Sequence, residues 1–209
     1  GFGTGFIVTN PNCAVVSFAP PLAALHRRFG VESCVVTTLQ AISGAGYPGV
    51  ASMDITDNVF PYIAGEEPKV EIEAQKILGV MTANGIEKAD FAVSAQCFRV
   101  NVVDGHMVSV RVDLKETATL EEVVAAMREF PSLDLHSSPS QFIEVTDEPT
   151  RPQTRLDRDN GNGMTITVGR VFPDTVFDYK FVSLSHNTVR GAAGSAVLNA
   201  ELLIARGVI

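Results

Sequence analysis

The sequence predicts an α+β fold, with a mostly antiparallel mixed sheet and helices packed on one face. Strand-length runs of β-branched and apolar residues follow one another along the chain, and only a few helical patterns interrupt them, without a regular βαβ alternation. Apolar residues make up 45% of the 209 residues, which is enough to bury one substantial core. We therefore expect a single domain over residues 1–209.

The composition narrows the classes of partner. A net charge of −8 argues against a general nucleic-acid binder, because neutralising phosphate backbones needs clustered Lys and Arg. The sequence has no apolar run of about 18 residues and no basic segment leading into an apolar core. We therefore expect no membrane span or signal peptide, and a cytoplasmic protein. Three cysteines without a Cys-x-x-Cys pair favour reduced thiols and no metal site.

Periodicity and turn signals give the order of elements. The predicted elements are a helix over about 13–29, a strand over 33–42, a turn over 43–49, a helix over 66–79, strands over 91–103 and 105–114, a helix over about 119–130, a short strand over 141–145 within an extended crossing at 131–163, strands over 164–172 and 179–185, and a closing helix over 188–207. Pro20 and Pro21 should bend or restart the first helix. Asp104-Gly105 is a strong hairpin signal, so we expect the strands on either side to pair.

The opening "GFGTG" is glycine-rich, which raises the question of a dinucleotide fingerprint. A dinucleotide fingerprint follows a strand and opens a helix, whereas this segment precedes a strand and leads into no helix. We interpret residues 1–5 as a loop or a junction.

Cys13 stands where the strand-like run Phe6-Ile7-Val8 gives way to the first helix. The free N–H groups and the dipole at a helix start favour negative charge, so this position should lower the thiol pKa and suit a nucleophile. The alternative is a small core residue, which the cysteine taken alone favours, because free Cys is among the most buried residue types. Cys34 and Cys97 lie inside strand patterns, and we expect them to be core residues.

Other chemistry-bearing residues also have two interpretations. His106 is the candidate acid or base, because it follows Asp-Gly at a strand end and titrates near neutrality, although it could be an exposed turn residue. Arg99 lies in an apolar strand and should have a carboxylate or phosphate partner, which could come from the chain itself. His26 and His136 are expected to be solvated, and His186-Asn187 stands between a strand and the last helix, where Asn187 or Thr188 could be the N-cap.

Five motifs in fixed order resemble the aspartate-semialdehyde dehydrogenase family, specifically its archaeal and fungal branch. They are "NPNC", "LQAISGAGYPG", "GEEPKVEIEAQKILG", "CFRVNVVDGH" and "SHNTVRGAAGSAVLNAELL". The resemblance covers the chain from about residue 6 to the C-terminus. It implies a fold like the C-terminal domain of glyceraldehyde-3-phosphate dehydrogenase, and it reverses the preference at Cys13 in favour of a nucleophile.

The resemblance also implies catalytic roles. Cys13 would be the nucleophile, Gln40 the active-site glutamine and His106 the acid–base group. Arg99 would clamp the substrate α-carboxylate, and Glu66 would contact the substrate amino group. In the implied reaction a thiolate attacks β-aspartyl phosphate, phosphate leaves, and hydride from NADPH reduces the resulting thioester while His106 supplies a proton. The product, aspartate β-semialdehyde, belongs to lysine, methionine and threonine biosynthesis.

Binding roles follow from the same motifs. Asn12 and Lys69 would help to bind phosphate, and Glu67 is an adjacent rival to the glutamate that contacts the amino group. Ser43-Gly44 and Asn187 would touch the nicotinamide side of NADP(H). The resemblance implies no metal, and it implies assembly into a homodimer or homotetramer.

Members of this family begin with a Rossmann-type dinucleotide-binding domain, and this sequence contains no such domain. We therefore expect the catalytic and dimerisation half alone, inactive or nearly so by itself. Two alternatives stay open. One is a related malonyl-CoA-type acyl-thioester reductase that uses the same Cys and His, and the other is an interaction module whose site is idle. A cysteine hydrolase is disfavoured, because no third residue to orient the histidine is evident.

Overall fold

The computed structural model describes residues 5–209. The interpretation of residues 1–5 as a loop or junction falls almost entirely outside the described residues and stays a prediction. The helices are α1 (Cys13–Phe29), α2 (Ser52–Ile55), α3 (Glu66–Ile77), α4 (Leu120–Arg128), α5 (Thr154–Asp157) and α6 (Gly194–Ala205), with a 3-10 turn over Ile42–Ala45 and a π-helical turn over Val189–Ala193. The strands are β1 (Val31–Gln40), β2 (Val59–Phe60), β3 (Val80–Thr82), β4 (Gly85–Glu87), β5 (Ala92–Val100), β6 (His106–Leu114), β7 (Ile143–Val145), β8 (Ile166–Pro173) and β9 (Tyr179–Ser185).

One seven-stranded sheet organises the fold, in the order β2-β5-β1-β6-β9-β8-β7. The pairs β1–β5 and β7–β8 are parallel, and the other neighbours are antiparallel. Helices α1, α3 and α4 form a layer on one face, where α1 packs on the central strands. The predicted α+β class with a mostly antiparallel mixed sheet is confirmed.

Side-chain alternation along the central strands decides which face carries the core. Val110 of β6 lies opposite Val36 of β1 and Phe181 of β9, and all three are at most 1% exposed beneath the helices. The intervening residues point to the other face, where Ser109 lies opposite Thr37 and Val182 and all three are only partly buried. The sheet therefore has one fully covered face and one face that is partly open to solvent in the isolated chain.

Helix α1 runs without interruption through Pro20 and Pro21, so the predicted restart does not occur. Pro21 has no N–H, and the carbonyl of Ser17, four residues earlier, consequently loses its usual helical donor. The hydroxyl of Ser183 on β9 donates to that carbonyl instead. The sheet thus replaces the hydrogen bond that the proline removes.

The predicted hairpin through Asp104-Gly105 is wrong. The strands on either side, β5 and β6, do not pair, because β1 lies between them. The backbone before the turn pairs with the end of β1, since the N–H groups of Ile42 and Ser43 donate to the carbonyls of Val102 and Val103. Asp104-Gly105 therefore carries the chain across the end of β1 to its other side.

Several short elements, α2, β2, α5 and the β3–β4 hairpin, were not predicted, because two to four residues are too short to show a period. His26 was expected to be solvated, but its Nδ1 accepts a hydrogen bond from the Val31 N–H at 3.1 Å, just beyond the end of α1. His136 is exposed, as predicted. Within residues 5–209, no helix is both long enough and apolar enough to cross a bilayer.

Candidate active site

Three strand ends bring the candidate residues together. Because β1 and β5 are parallel, their carboxyl ends meet at the same edge of the sheet, where Gln40 lies opposite Arg99. Strand β6 runs antiparallel to β1, so its first residue, His106, begins at that edge. All three side chains are buried on the face that carries the helices, and α1 starts there with Cys13. Residues far apart in the sequence thus form one cluster.

Cys13 is the first residue of α1, and its position is set by the cap. The Asn12 Oδ1 accepts the N–H groups of Ala14 at 2.8 Å and Val15 at 3.3 Å, which satisfies two free donors of the first turn. The Cys13 Sγ lies 3.2 Å from His106 Nε2, within hydrogen-bonding distance for sulfur. The two residues that the sequence motifs predict to be catalytic, 93 positions apart, are therefore in contact.

A buried carboxylate ties this cluster to α3. The Oε1 of Glu66 accepts hydrogen bonds from Asn12 Nδ2 at 2.8 Å and from Gln40 Nε2 at 3.0 Å. Glu66 is 7% exposed and Gln40 is 1% exposed, so these bonds are largely shielded from water. Glu66 therefore links the starts of α1 and α3 to the end of β1.

The rival glutamate has a different position. Glu67 accepts the backbone N–H of Cys97 at 3.2 Å, so it faces the outer edge of β5. Lys69, one turn after Glu66, is solvent-exposed. Within residues 5–209, no hydrogen bond or ion pair joins Lys69 to the cluster. The geometry favours Glu66 over Glu67 as a site residue, and it leaves Lys69 at the periphery.

Arg99 is buried at this edge of the sheet and has one hydrogen-bond partner among residues 5–209. Its Nη1 donates to the Ala41 carbonyl at 2.8 Å, and the residue is 6% exposed. Among residues 5–209, no carboxylate lies within ion-pair distance of the guanidinium. The described residues therefore do not supply the carboxylate partner that the sequence allowed. Burial lowers the pKa of Arg99, although the nearby Glu66 opposes this shift.

The loop after β1 covers the histidine and the arginine. A Cβ on Gly44 would lie 2.9 Å from both Arg99 Nη1 and His106 Cε1, so only glycine allows this approach. Asn187 holds the loop, because its Nδ2 donates to Ser43 Oγ at 2.8 Å and its Oδ1 accepts the Gly105 N–H at 2.7 Å. Asn187 thus bridges two loops and does not cap the last helix.

The electrostatics of the cluster differ from expectation at Cys13. Burial raises the pKa of the Cys13 thiol, and the Glu66 carboxylate adds to the shift, whereas the N–H groups at the start of α1 lower it by a smaller amount. The predicted lowering of this thiol pKa is therefore wrong. Burial, and secondarily Arg99, lowers the pKa of His106 to about 3, so its imidazole is neutral at physiological pH.

Three residues of the site were missed by sequence reasoning. Glu73 accepts the Asn12 N–H at 2.6 Å, and it follows Glu66 by two helical turns, a spacing that places both on one face of α3. A Cβ on Gly191 would lie 2.8 Å from the Cys13 Cβ, which explains a glycine there. Ala41 acts through its backbone N–H, which donates to His106 Nδ1 at 3.1 Å, and no side-chain pattern reveals such a contact.

Alkylation should separate the three thiols. We expect iodoacetamide to modify Cys13 at least about tenfold faster than Cys34 and Cys97, because these two are at most 1% exposed and burial raises their pKa values to about 12 and about 11. The Cys13 pKa is also raised above 9.0, the ordinary value for a cysteine thiol. The alkylation rate of Cys13 should therefore still increase as the pH of the solution rises above 9.0. Peptide mass mapping over time measures this, with Cys13→Ser as control. Equal labelling of all three thiols would contradict the assignment.

The sequence of this chain is similar to a known protein family. The family described as "Semialdehyde dehydrogenase, dimerisation domain" matches residues 22–190. Aspartate-semialdehyde dehydrogenases from Aspergillus fumigatus and Archaeoglobus fulgidus are 53% and 52% identical, over 100% and 98% of this chain.

A solved structure shows the same fold. The aspartate-semialdehyde dehydrogenase of Candida albicans with NADP superposes with a TM-score of 0.89 at 42% identity, over 98% of this chain. This chain spans only 61% and 60% of the two sequence relatives and 59% of that structure. The chain therefore belongs to the semialdehyde dehydrogenase dimerisation-domain family.

Proposed function

We propose that this chain is the catalytic half of a cytoplasmic enzyme that converts β-aspartyl phosphate and NADPH to aspartate β-semialdehyde and phosphate, in lysine, methionine and threonine biosynthesis. The observation that carries the proposal is the contact of Cys13 Sγ with His106 Nε2 at 3.2 Å, beside a buried arginine without an ion-pair partner in residues 5–209. A thiol, a histidine and a guanidinium without an ion-pair partner are the groups that a thioester mechanism on an acidic substrate needs.

Each residue then has a chemical task. Cys13 attacks the acyl carbon and forms a thioester as phosphate leaves. The Nε2 of His106, next to the sulfur, is positioned to hydrogen-bond the carbonyl oxygen as negative charge develops on it. Arg99 clamps the α-carboxylate, and the Glu66 carboxylate, held by Gln40, attracts the substrate ammonium.

Phosphate recognition falls to Asn12 and Lys69. The side-chain amide of Asn12 donates one N–H to Glu66 and its Oδ1 caps α1, so its second amide N–H is the group that it can offer to phosphate. Lys69 is exposed on α3, close in sequence to Glu66, and would supply a positive charge for the phosphate. We therefore assign Lys69 to the arriving and departing phosphate and Asn12 chiefly to holding Cys13.

The residues present fit the reactive end of NADPH. Gly44 packs directly against Arg99 and His106, and Asn187 holds the neighbouring Ser43, so we assign the Ser43-Gly44 loop and Asn187 to the nicotinamide side of the site. When bound, NADPH supplies the hydride that converts the thioester to the aldehyde level. Nothing in residues 5–209 resembles a glycine-rich phosphate loop between a strand and a helix, so we expect very slow NADPH turnover by the chain alone.

The thioester half-reaction tests the function without NADPH. We expect β-aspartyl phosphate to acylate Cys13 and release phosphate, as measured by intact mass and peptide mapping, with Cys13→Ser unreactive. Arg99→Lys should react about 10–100-fold more slowly at low substrate, because it loses the bidentate clamp while keeping the charge.

Two outcomes would redirect the assignment. No acylation of wild-type chain, with intact fold by circular dichroism, would favour an idle interaction module. Faster acylation by malonyl-CoA than by β-aspartyl phosphate would favour the related acyl-thioester reductase.

We also propose that the partly open face of the sheet joins two copies in a homodimer, which could pair further into a tetramer. Thr37, Ser109 and Val182 lie in register across three central strands of that face and are only partly buried in the isolated chain. A single-layer sheet leaves such a face to be covered by a partner, and the family to which the chain belongs is described as a dimerisation domain.

Assembly should depend on the centre of this face. We expect Ser109→Arg to convert dimers to monomers, because a guanidinium there would be buried without a partner. Ser140→Arg, exposed in the loop before β7, is the matched control and should leave the sedimentation coefficient unchanged. Sedimentation velocity measures both variants. An unchanged dimer in Ser109→Arg would refute this interface.

A further inference from the structure

We propose that a groove between helices α1 and α6 binds an amphiphilic carboxylate, a molecule with one carboxylate and an aliphatic tail, and that Arg190 and Arg27 pair with that carboxylate. The groove is separate from the Cys13 cluster, because Cys13, Arg99 and His106 do not line it. The inference goes beyond the proposed function and does not depend on it.

The groove has the size and the lining of a small-molecule site. Its volume is about 530 Å³, within the roughly 300–1,000 Å³ that is typical of ligand pockets. Val16, Ala19 and Ala23 recur at helical spacing along α1 and line one side. Leu198 and Leu202 of α6 line another side, and the end of α3 contributes further apolar side chains. An aliphatic tail can therefore be buried along α1.

The titratable side chains that line the groove are all basic. They are His26, Arg27 and Arg190, and no Asp or Glu among residues 5–209 lines it, although the chain has 24 acidic residues and a net charge of −8. A groove with charges of one sign is complementary to an anion. Because the rest of the lining is mostly apolar, an anion with an aliphatic tail fits the groove better than a small inorganic anion does.

Arg190 has no partner in the described part of the chain that would offset its burial. It is 7% exposed, and its Nε and Nη1 are buried without a hydrogen-bond acceptor among residues 5–209. No carboxylate of these residues lies within ion-pair distance of it. Burial lowers its pKa to about 10, so the guanidinium is still charged at neutral pH. A buried charge without a partner is costly, and a ligand carboxylate would offset that cost.

Two stacked phenylalanines place both arginines at the same end of the groove. The Arg190 Cζ lies 4.0 Å from the centre of the Phe142 ring, and the Arg27 Cζ lies 5.2 Å from the centre of the Phe130 ring. The centres of the two rings are 5.3 Å apart. A guanidinium that stacks on a ring face is held in one orientation, and its N–H groups stay available for a carboxylate. The cationic end of the groove is therefore prearranged.

The groove stays accessible in the assembly that we propose. It lies among the helices, whereas the dimer is assigned to the opposite face of the sheet. A ligand in the groove therefore does not compete with the second copy of the chain.

Titration calorimetry with octanoate tests the site. We expect one octanoate to bind per chain with a Kd below about 1 mM. Octylamine has the opposite charge and acetate lacks the tail, so both should bind at least about 10-fold more weakly.

A matched pair of variants tests the charge. Arg190→Met should weaken octanoate binding at least about 10-fold, because methionine keeps an apolar side chain near Phe142 but removes the guanidinium. Arg28→Met is the control, because Arg28 does not line the groove and pairs with Glu129 at 3.3 Å. It should bind octanoate as the unaltered chain does.

A second pair tests the tail. Ala23→Phe places a ring in the groove and should weaken octanoate binding at least about 10-fold while Arg190 is unchanged. Ala200→Phe, on an exposed side of α6 that does not line the groove, should leave the affinity unaltered.

Two results would overturn the proposal. One is that octanoate does not bind to the unaltered chain, and the other is that it binds equally well to Arg190→Met. The unfolding temperature then identifies a purely structural arginine. Replacing a buried charge without a partner by an apolar side chain is often neutral or stabilising, so without octanoate we expect Arg190→Met to unfold at the same or a higher temperature. A lower unfolding temperature, together with no octanoate binding, would show that Arg190 serves packing alone.

Discussion

The buried carboxylate of Glu66 is the constraint on which the site depends. Its Oε1 receives hydrogen bonds from Asn12 on one side and Gln40 on the other, so it joins the start of α1 to the end of β1 from the first turn of α3. Because Cys13 directly follows Asn12, these bonds also determine where the thiol lies. Buried polar groups of this kind must all be satisfied, which couples the three elements and makes the cluster rigid.

The same burial that makes the site rigid also sets its charges. Desolvation and Glu66 raise the pKa of Cys13, and desolvation lowers the pKa of His106 to about 3, so both groups are neutral near physiological pH. Arg99 is then the permanent positive charge in the cluster, without an ion-pair partner among residues 5–209. Under the proposed function, an anionic substrate would meet a prearranged cation and prearranged hydrogen-bond donors.

Much of the fold and of the site was predictable from sequence, and the failures have physical causes. Residue chemistry made Arg99 and His106 candidates, whereas Cys13 became the nucleophile only through the family resemblance, and the three residues do lie in one cluster. The prediction of a hairpin at Asp104-Gly105 was wrong because β1 lies between β5 and β6 and pairs with both. Such long-range pairing cannot be inferred from local turn signals. The thiol pKa was wrong in sign because the helix-start effect is local, whereas burial depends on the whole fold. Backbone donors such as Ala41 leave no signal in the side chains.

A crystal structure of the chain after acylation of Cys13 by β-aspartyl phosphate would test the central claim most directly. The account predicts a thioester whose carbonyl oxygen accepts the His106 Nε2–H, an α-carboxylate paired with Arg99 and an ammonium next to Glu66. A thioester whose carboxylate points away from Arg99, or whose carbonyl oxygen lies out of reach of His106, would contradict it.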